Sequence, residues 1–184
     1  MKGAGYMDTA GFFTDNLHIK RYDMNDLDGF YRIGSDKHTA MLLGIREFSG
    51  RSEARELAED LLIRGELFSL FMKDTGEYIG FIGISDDGRR EDPSVKMVSF
   101  ALIPGMRGKG LGTEALRKVT ERLFRERQTV TAYCFPENGA AAAFLRKCGF
   151  REKGIMRSEA VDGHGKVHDL ICFLASYKNR ADII

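Results

Sequence analysis

Apolar residues recur along this chain with two periods, and the change from one to the other predicts the order of its elements. Alternating or continuous apolar runs predict strands at 16–22, 68–72, 78–84, 96–103, 129–135, 154–161 and 166–174. Spacings of three and four predict helices that begin after Asn25 or Asp26, span 52–64, open at Thr113, and span 138–148. Residues 34–50 are less regular, with a short helical turn at 41–44. Strands interleaved with helices predict an α/β fold.

Short polar segments between these elements predict two hairpins and one longer connection. Turns are expected at 74–76 and 162–165, where glycine stands beside aspartate. The second helix is expected to bury the stripe Ala54, Leu57, Ala58, Leu61 and Leu62 and to end at a glycine cap. Residues 85–93, which include Asp86 and Asp87, are charged enough to be interpreted as a solvated connector.

The composition limits the classes of protein to which the chain can belong. Its 184 residues suffice for one domain, and 43% hydrophobic and 30% charged residues are ordinary for a soluble globular protein. A net charge of +1 gives no electrostatic reason to expect a nucleic-acid or membrane partner. No apolar stretch has membrane-spanning length, and no signal-peptide pattern is visible. We expect a cytoplasmic protein with one domain over 15–178 and a flexible leader over 1–14.

Cysteine and histidine positions predict neither a disulfide framework nor a metal site. Cys134, Cys148 and Cys172 are odd in number, widely spaced and surrounded by apolar residues, which favours buried free thiols in a reducing compartment. His164 and His168 flank a glycine-rich turn without cysteines or carboxylates at ligand spacing. We therefore expect no metal.

A glycine-rich segment between a predicted strand and a predicted helix has the features of an anion-binding loop. Pro104 stops the strand because it removes a ladder donor. Gly108, Gly110 and Gly112 lack a Cβ, so a phosphate can approach the backbone N–H groups at the start of the helix. Thr113 lies in the first helical turn. Arg107 and Lys109 add positive charge.

Three phosphate-binding motifs compete for this loop. The Walker P-loop fails, because Ile103 stands where its first glycine is required and Gly110 where it needs Ser or Thr. The dinucleotide pattern Gly-x-Gly-x-x-Gly/Ala is formally met from Gly110 to Ala115, but its first glycine should follow the strand directly. The pattern Arg/Gln-x-x-Gly-x-Gly/Ala is met by Arg107, Gly110 and Gly112.

A second motif follows the fifth predicted strand and supports the third pattern. The run from Asn138 to Phe150 resembles the signature Asn-x-x-Ala/Ser…Lys-x-Gly-Phe, with matches that include Asn138, Ala141, Lys147 and Gly149. Together the two motifs resemble the GCN5-related N-acetyltransferases (GNAT), in particular the RimJ/RimL branch that acetylates ribosomal-protein N-termini. The resemblance covers about residues 15–178. It implies a mixed, mainly antiparallel sheet of about seven strands, splayed in the middle, with helices on both faces.

The resemblance implies a site for acetyl-coenzyme A as co-substrate. The pyrophosphate would be held by the loop, and the pantetheine arm would add to the sheet beside Leu102 and Ile103, with Asn138 on its other side. The residues expected to contact the cofactor are Leu102, Ile103, Arg107, Gly108, Lys109, Gly110, Leu111, Gly112, Thr113 and Asn138.

Catalytic residues are harder to assign, because this chain departs from the family at three positions. Relatives often have a glutamate where Tyr133 stands, a tyrosine where Leu145 stands, and in this branch a glutamate where Met97 stands. Tyr133 and Ser99 are the polar candidates that remain. Tyr133 is predicted to donate a proton to the leaving thiolate or to order a water on the acceptor side. The alternative is a half-buried tyrosine of the sheet. Ser99 is either catalytic or a packed strand serine.

The sequence therefore predicts an acetyl-coenzyme A-dependent N-acetyltransferase that acts as a monomer or homodimer on a primary amine. The expected acceptor is a protein N-terminal α-amino group of the ribosomal-protein type or a small amine. Two alternatives stay open: a coenzyme A-binding module of the same fold without turnover, and a dinucleotide-dependent oxidoreductase.

Overall fold

The computed structural model describes residues 11–177, which form one sheet of eight strands with helices on both faces. The strands are β1 Phe12–Phe13, β2 Leu17–Arg21, β3 Gly65–Met72, β4 Tyr78–Asp86, β5 Val95–Leu102, β6 Thr129–Cys134, β7 Arg151–Val161 and β8 Val167–Ser176. The α-helices are α1 Leu27–Gly34, α2 Lys37–Leu43, α3 Arg51–Arg64, α4 Leu111–Arg125 and α5 Gly139–Lys147. Short 3-10 turns span Met24–Asp26 and Pro104–Met106.

The sheet is antiparallel except at its centre, which confirms the predicted fold class. Its strand order is β1-β2-β3-β4-β5-β6-β8-β7. The parallel pair β5 and β6 is joined at three positions, from Val95 opposite Thr129 to Met97 opposite Thr131. Beyond Met97 the two strands no longer pair, so a gap opens in the sheet between them.

Two hydrophobic cores lie on opposite faces of the sheet. One packs α4 and α5 against strand residues that include Val98 and Cys134. The other packs α1 and α3 against residues that include Ala101 and Ile103. Because side chains of a strand alternate between faces, Ser99 and Tyr133 belong to the α1/α3 face.

The one strand beyond the seven predicted is β1, and it lies within the segment interpreted as a leader. Phe12 pairs with Ile19 of β2, and Phe13 pairs with His18, so the end of the 1–14 leader is part of the sheet. The rest of that predicted leader lies outside the described residues. Residue 178, the last of the predicted domain, does so as well.

Several local predictions about the helices differ from the structure. Asp23, not Asn25 or Asp26, caps the turn before α1. The irregular region holds helix α2, which begins after Asp36 and ends at Gly44 in a left-handed conformation. Helix α3 ends at Arg64 with Gly65 as its C-cap, as predicted, although Gly65 is extended and also starts β3. Leu62, predicted to be part of the buried stripe of α3, is exposed.

The predicted solvated connector is also different from the expectation at one residue. Asp86 still belongs to β4, whereas Asp87, the next residue, is only 1% exposed. Its backbone N–H continues the β4–β5 ladder by donating to the carbonyl of Val95 at 3.2 Å. Because the ladder extends by one residue, the Asp87 carboxylate lies on the face of the sheet where Thr131 and Tyr133 project.

No helix within residues 11–177 combines the length and apolar character needed to cross a membrane.

Candidate active site

A cavity of about 560 Å³ lies where β5 and β6 separate. It has walls from both faces of the sheet, because Val98, Phe100 and Leu102 project to one side and Met97 and Ser99 to the other. Further lining residues come from α2, the glycine-rich loop, β6 and α5: Thr39, Leu42, Leu43, Arg107, Gly108, Gly110, Gly112, Thr113, Tyr133, Cys134, Asn138, Ala140, Ala141, Ala143, Phe144 and Lys147. The gap in the sheet thus connects the loop at one end with Tyr133 at the other.

Most of the residues predicted for the cofactor or for catalysis line this single cavity. Three predicted contacts do not: Ile103, Lys109 and Leu111. Leu111 is buried in the α4/α5 core, and the Lys109 ammonium points towards the Met106 sulfur at 3.7 Å. The side chains of these residues therefore have other surroundings, although the backbone N–H of Leu111 remains at the helix start.

The loop presents consecutive backbone N–H groups without acceptors. Among the described residues, no backbone or side-chain acceptor is found for the N–H groups of Gly108, Lys109 and Gly110. The next three, from Leu111 to Thr113, belong to the first turn of α4, where no side chain caps the helix. A helix N-terminus with six such donors is suited to a phosphate or pyrophosphate.

Glycine is required in this loop for two different reasons. Gly108 and Gly110 have φ values of +75° and +84°, and an added Cβ would meet no atom within 4 Å, so the space above them is open. At Gly112 an added Cβ would lie 3.2 Å from Phe144 and 3.3 Å from Leu102. The first two glycines allow the backbone turn and leave room for a ligand, whereas Gly112 allows close packing of α4 on β5 and α5.

The hydrogen-bond pattern of β5 decides which backbone groups face the gap. Val95 accepts from Asp87, and Ile103 donates to Ile79 of β4 at 2.9 Å, so odd-numbered residues of β5 bond to β4. Ser94 accepts from Thr129 of β6 at 2.9 Å, so even-numbered residues point the other way. Beyond Met97, the even-numbered backbone groups have no β6 partner.

This alternation corrects the prediction for Ile103. Both of its backbone groups are used within the protein, since its carbonyl accepts from Met106 at 3.0 Å, and its side chain is buried in the α1/α3 core. The backbone groups available to a strand-like ligand are instead those of Val98 and Phe100 and the N–H of Leu102, since the Leu102 carbonyl accepts from Arg107. Sequence alone could not separate the two sets, because the register of β5 on β4 was needed.

Arg107 bridges the loop to α2. Its guanidinium donates to the carbonyl of Leu102 at 3.0 Å and to the hydroxyl of Thr39 at 2.5 Å. Thr39 is itself only 2% exposed, and its hydroxyl and backbone N–H bond to Asp36, the capping residue of α2. The side chain of Arg107 therefore fixes the position of the loop against the cavity wall.

Asn138 caps α5 and lines the cavity. Its side-chain carbonyl accepts from the backbone N–H of Ala141 at 3.0 Å, as expected for a helix N-cap. Its amide nitrogen has no protein acceptor in residues 11–177 and remains available as a donor.

Tyr133 is hydrogen-bonded to the buried carboxylate of Asp87. The tyrosine hydroxyl donates to Oδ2 of Asp87 at 2.6 Å, and the Thr131 hydroxyl donates to the same atom at 2.7 Å. The backbone N–H of Arg89 donates to Oδ1 at 3.1 Å. Burial acts to raise the pKa of Asp87, but these hydrogen bonds outweigh it and hold the pKa below its ordinary value. The carboxylate is therefore ionised at neutral pH.

Two arginines lie beside the Tyr133 ring. The Arg89 guanidinium is 4.9 Å from the ring centroid and pairs with Glu159 at 3.0 Å. The Arg90 guanidinium lies 3.9 Å from Oδ2 of Asp87 and 3.8 Å from the Cys172 sulfur. Burial, with a contribution from Asp87, raises the pKa of Tyr133 well above its ordinary value, so the phenol stays protonated.

Ser99 and Cys134 complete the central part of the cavity. The Ser99 oxygen packs against Gly83, where an added Cβ would lie 2.6 Å away, and no hydrogen bond to its hydroxyl is found in the described residues. Cys134 is a free thiol, and burial raises its pKa to about 11, so it is protonated at neutral pH.

The turn between β7 and β8 contacts the segment that follows α2. The N–H of Gly163 donates to the carbonyl of Gly44 at 2.9 Å, and the Arg46 side chain donates to the carbonyl of Gly163 at 3.3 Å. Asp162 holds this turn by accepting from the N–H groups of His164 and Lys166, each at 2.9 Å. The contact supports α2, which contributes Leu42 and Leu43 to the cavity wall.

Sequence reasoning missed Thr39 and Phe144, and it interpreted Asp87 as part of a solvated connector, although its carboxylate could serve the acceptor. Asp87, Thr39 and Phe144 are brought in by contacts between elements far apart in the chain. The length of the strand before residue 87 was the available signal for Asp87, since a ladder that continues to 87 buries its side chain. Within the described residues no group of three or more histidine, cysteine, aspartate or glutamate side chains is arranged to hold a metal ion.

Comparisons with known proteins agree with this architecture. Structures with a similar fold include a probable GNAT-family acetyltransferase from Chromobacterium violaceum ATCC 12472, at 20% identity and a TM-score of 0.82, covering 98% of this chain and 93% of that one. Spermidine N-acetyltransferase from Vibrio cholerae, solved with CoA and spermine, has 14% identity and a TM-score of 0.76, with coverages of 91% and 99%. Ribosomal-protein-S5-alanine acetyltransferase from Vibrio fischeri has 17% identity and a TM-score of 0.73, with coverages of 90% and 96%.

Sequence comparison identifies the family. No curated protein sequence gives a significant match. The family model for the acetyltransferase (GNAT) domain, however, matches residues 16–151, well over half of the chain. The chain therefore belongs to the GNAT acetyltransferase family and is an acyltransferase that uses acetyl-coenzyme A.

Proposed function

We propose that this acyltransferase transfers the acetyl group to a primary amine, and that its acceptor is the α-amino group at a protein N-terminus. The observation that carries the proposal is the cavity between β5 and β6, which leads from the loop to Tyr133 and has no carboxylate among its lining residues. A polyamine carries several positive charges and needs acidic partners, whereas one uncharged amine does not.

The names of similar proteins support two acceptor classes. The ribosomal-protein acetyltransferase from Vibrio fischeri supports an N-terminal α-amino group, as does the resemblance of the two motifs to the RimJ/RimL branch. The spermidine N-acetyltransferase from Vibrio cholerae favours a small amine as the second candidate. Because no carboxylate is among the residues that line the cavity, we rank the N-terminal α-amino group above the polyamine.

Cofactor binding is assigned to three groups of backbone and side-chain donors. The N–H groups from Gly108 to Thr113 hold the pyrophosphate at the N-terminus of α4. The backbone groups of Val98 and Phe100 and the N–H of Leu102 bond to the pantetheine amides, as an added strand would. The Asn138 amide nitrogen donates from the opposite wall, and Lys147 adds a positive charge near the loop.

The chemistry requires an uncharged amine and donors for the developing negative charge. Acetyl-coenzyme A is the co-substrate that supplies a thioester: the amine nitrogen forms the C–N bond, the C–S bond breaks, and its electron pair leaves on sulfur. The proton that the nitrogen loses is balanced by the one that the thiolate gains, so the products are the amide and the free thiol. Ser99 lines the cavity here, and its hydroxyl has no hydrogen-bond partner within residues 11–177, so we assign it as a donor to the thioester oxygen or sulfur. The amine approaches from the α1/α3 face, where Tyr133 lies.

Calorimetry and thiol release together test this function. We expect coenzyme A to bind, NAD to give no heat of binding, and acetyl-coenzyme A to release thiol when a peptide with a free N-terminus is added. The same peptide with a blocked N-terminus is the matched control and should release none. Coenzyme A binding without turnover for any amine would instead indicate a binding module, and NAD binding without coenzyme A binding would indicate an oxidoreductase.

A further inference from the structure

Asp87 is a buried charge that the proposed chemistry does not yet use. It is 1% exposed and does not line the cavity, but its Oδ2 atom accepts the proton of the Tyr133 hydroxyl at 2.6 Å. Thr131, which is fully buried, donates to the same oxygen and also to the carbonyl of Lys96. Burying a charged carboxylate costs desolvation free energy, and three donors must be placed to offset it. Such an arrangement suggests that the charge or the orientation of Asp87 is used.

We propose that Asp87 is a positioning residue for the acceptor: it takes the hydroxyl proton of Tyr133, so that Tyr133 turns an oxygen lone pair, and not a proton, towards the amine. The inference rests on the proposed amine acetylation. Tyr133 then accepts a hydrogen bond from an N–H of the acceptor. The amine is thereby oriented with its own lone pair free to attack the acetyl carbon.

The hydrogen-bond inventory of a phenol supports this direction. A tyrosine hydroxyl has one proton and two lone pairs. The proton is directed at Asp87 at 2.6 Å. The oxygen therefore presents lone pairs, and no proton, to any other group. The prediction that Tyr133 protonates the leaving thiolate is therefore replaced by a role on the amine side of the gap.

The charged groups around Tyr133 favour the same orientation. Arg90 lies 3.9 Å from Oδ2 of Asp87 and also contacts Cys172, and Arg89 lies over the ring while paired with Glu159. Within the described residues, Asp87 is the carboxylate that accepts the Tyr133 proton, and Glu159 is paired with Arg89. No second carboxylate competes for this proton there. As the C–N bond forms, the nitrogen becomes positive, and an N–H bond to an oxygen backed by the Asp87 charge strengthens.

The test is a kinetic cycle of wild type, Asp87→Asn, Tyr133→Phe and the double variant, with Asp86→Asn as the matched control. Asp86 is the neighbouring carboxylate, which pairs with Lys96 at the surface. Asp87→Asn and Tyr133→Phe should each lower kcat/KM for the acceptor by roughly tenfold, the value of one net hydrogen bond, whereas Asp86→Asn should leave it unchanged. The double variant should lose little more than Tyr133→Phe alone, whereas the coenzyme A Kd should stay within about twofold in every variant.

A second measurement distinguishes a bond to the amine from proton donation to the thiolate. An acetyl thioester of an aryl thiol has a leaving group that needs no proton. Because Tyr133 acts on the amine, Tyr133→Phe should lose the same factor with this thioester as with acetyl-coenzyme A. Equal rates for Tyr133→Phe and wild type with the aryl thioester would overturn the inference.

The outcomes separate this inference from the proposed function. If the wild type acetylates no amine, the proposed function fails and this inference fails with it. If the wild type is active, and Asp87→Asn keeps the wild-type kcat/KM or the two single losses multiply in the double variant, the inference alone is overturned. Should Asp87→Asn fold poorly, Tyr133→Phe, which retains the buried ring, decides the question through the thioester comparison.

Discussion

The guanidinium of Arg107 donates a 2.5 Å hydrogen bond to the hydroxyl of Thr39, and this contact joins the cofactor loop to helix α2. Because Thr39 also bonds to Asp36, the cap of α2, the loop and the helix are fixed relative to one another. The two walls of the cavity therefore depend on a residue that no motif marks.

Thr39→Val should destabilise the protein through this contact. It removes an acceptor from a charged donor, which costs about 1.5–3 kcal/mol of unfolding free energy. Thr39→Ser is the matched control, since it keeps the hydroxyl and loses a methyl group worth about 0.8 kcal/mol. Chemical denaturation measures both. If the valine variant were as stable as the serine variant, the bond would contribute nothing.

Gly110→Asp should weaken coenzyme A binding at the loop. The φ of +84° disfavours any side chain, and the added carboxylate would stand where the pyrophosphate is expected. The Kd from calorimetry should rise by at least about tenfold, or roughly 1.4 kcal/mol.

Gly105→Asp provides the control for charge alone. It lies in the 3-10 turn of the same loop, where an added Cβ meets nothing within 4 Å. Its effect on the Kd should be much smaller. Equal effects of the two variants, or an unchanged Kd for folded Gly110→Asp, would argue against the anion site.

The rate should rise with pH until the acceptor amine loses its proton. Asp87 has a lowered pKa and is a poor base, and no carboxylate lines the cavity, so the amine must arrive uncharged. For an α-amino group the rise should level off near pH 8. A profile of kcat/KM against pH measures this. A chemistry-limited rate that is constant between about pH 6 and 9 would contradict it, because the uncharged fraction changes strongly over that range.

Gly163→Ala should separate the β7–β8 turn from the segment after α2. A Cβ at this position would lie 2.1 Å from the backbone nitrogen of Arg46, which cannot move like a side chain. We expect a loss of about 1–3 kcal/mol of unfolding free energy, as for other overpacked sites. Gly139→Ala has no atom within 4 Å of the new Cβ and should be neutral or slightly stabilising. A Gly163→Ala protein as stable as this control would show that the turn is not tightly docked.

Periodicity predicted most of the fold because the signal for each element is local. Strands β2 to β8 and helices α3, α4 and α5 were predicted within a few residues of their bounds. The loop before α4 was recognised from its glycines. Short elements such as β1 and α2 were missed or only partly predicted, because two paired residues or one capped turn produce little periodic pattern.

The site was less predictable because its decisive contacts are long-range. The burial of Asp87 depends on Thr131 and Tyr133, which are more than forty positions away. The choice between Leu102 and Ile103 depends on which residues of β5 bond to β4, a matter of register. Neither follows from the composition of the segment in which these residues lie.

Mass spectrometry of an acceptor panel tests the central claim most directly. The panel places ribosomal-protein N-terminal peptides, the same peptides with blocked N-termini, polyamines and aminoglycosides side by side with acetyl-coenzyme A. We predict one added acetyl group on the α-amino group of a free peptide, none on the blocked peptide, and little on the polycationic amines. Acetylation confined to polyamines or aminoglycosides would contradict the assigned acceptor, and no acetylated product from any amine by a protein that binds acetyl-coenzyme A would contradict amine acetylation itself.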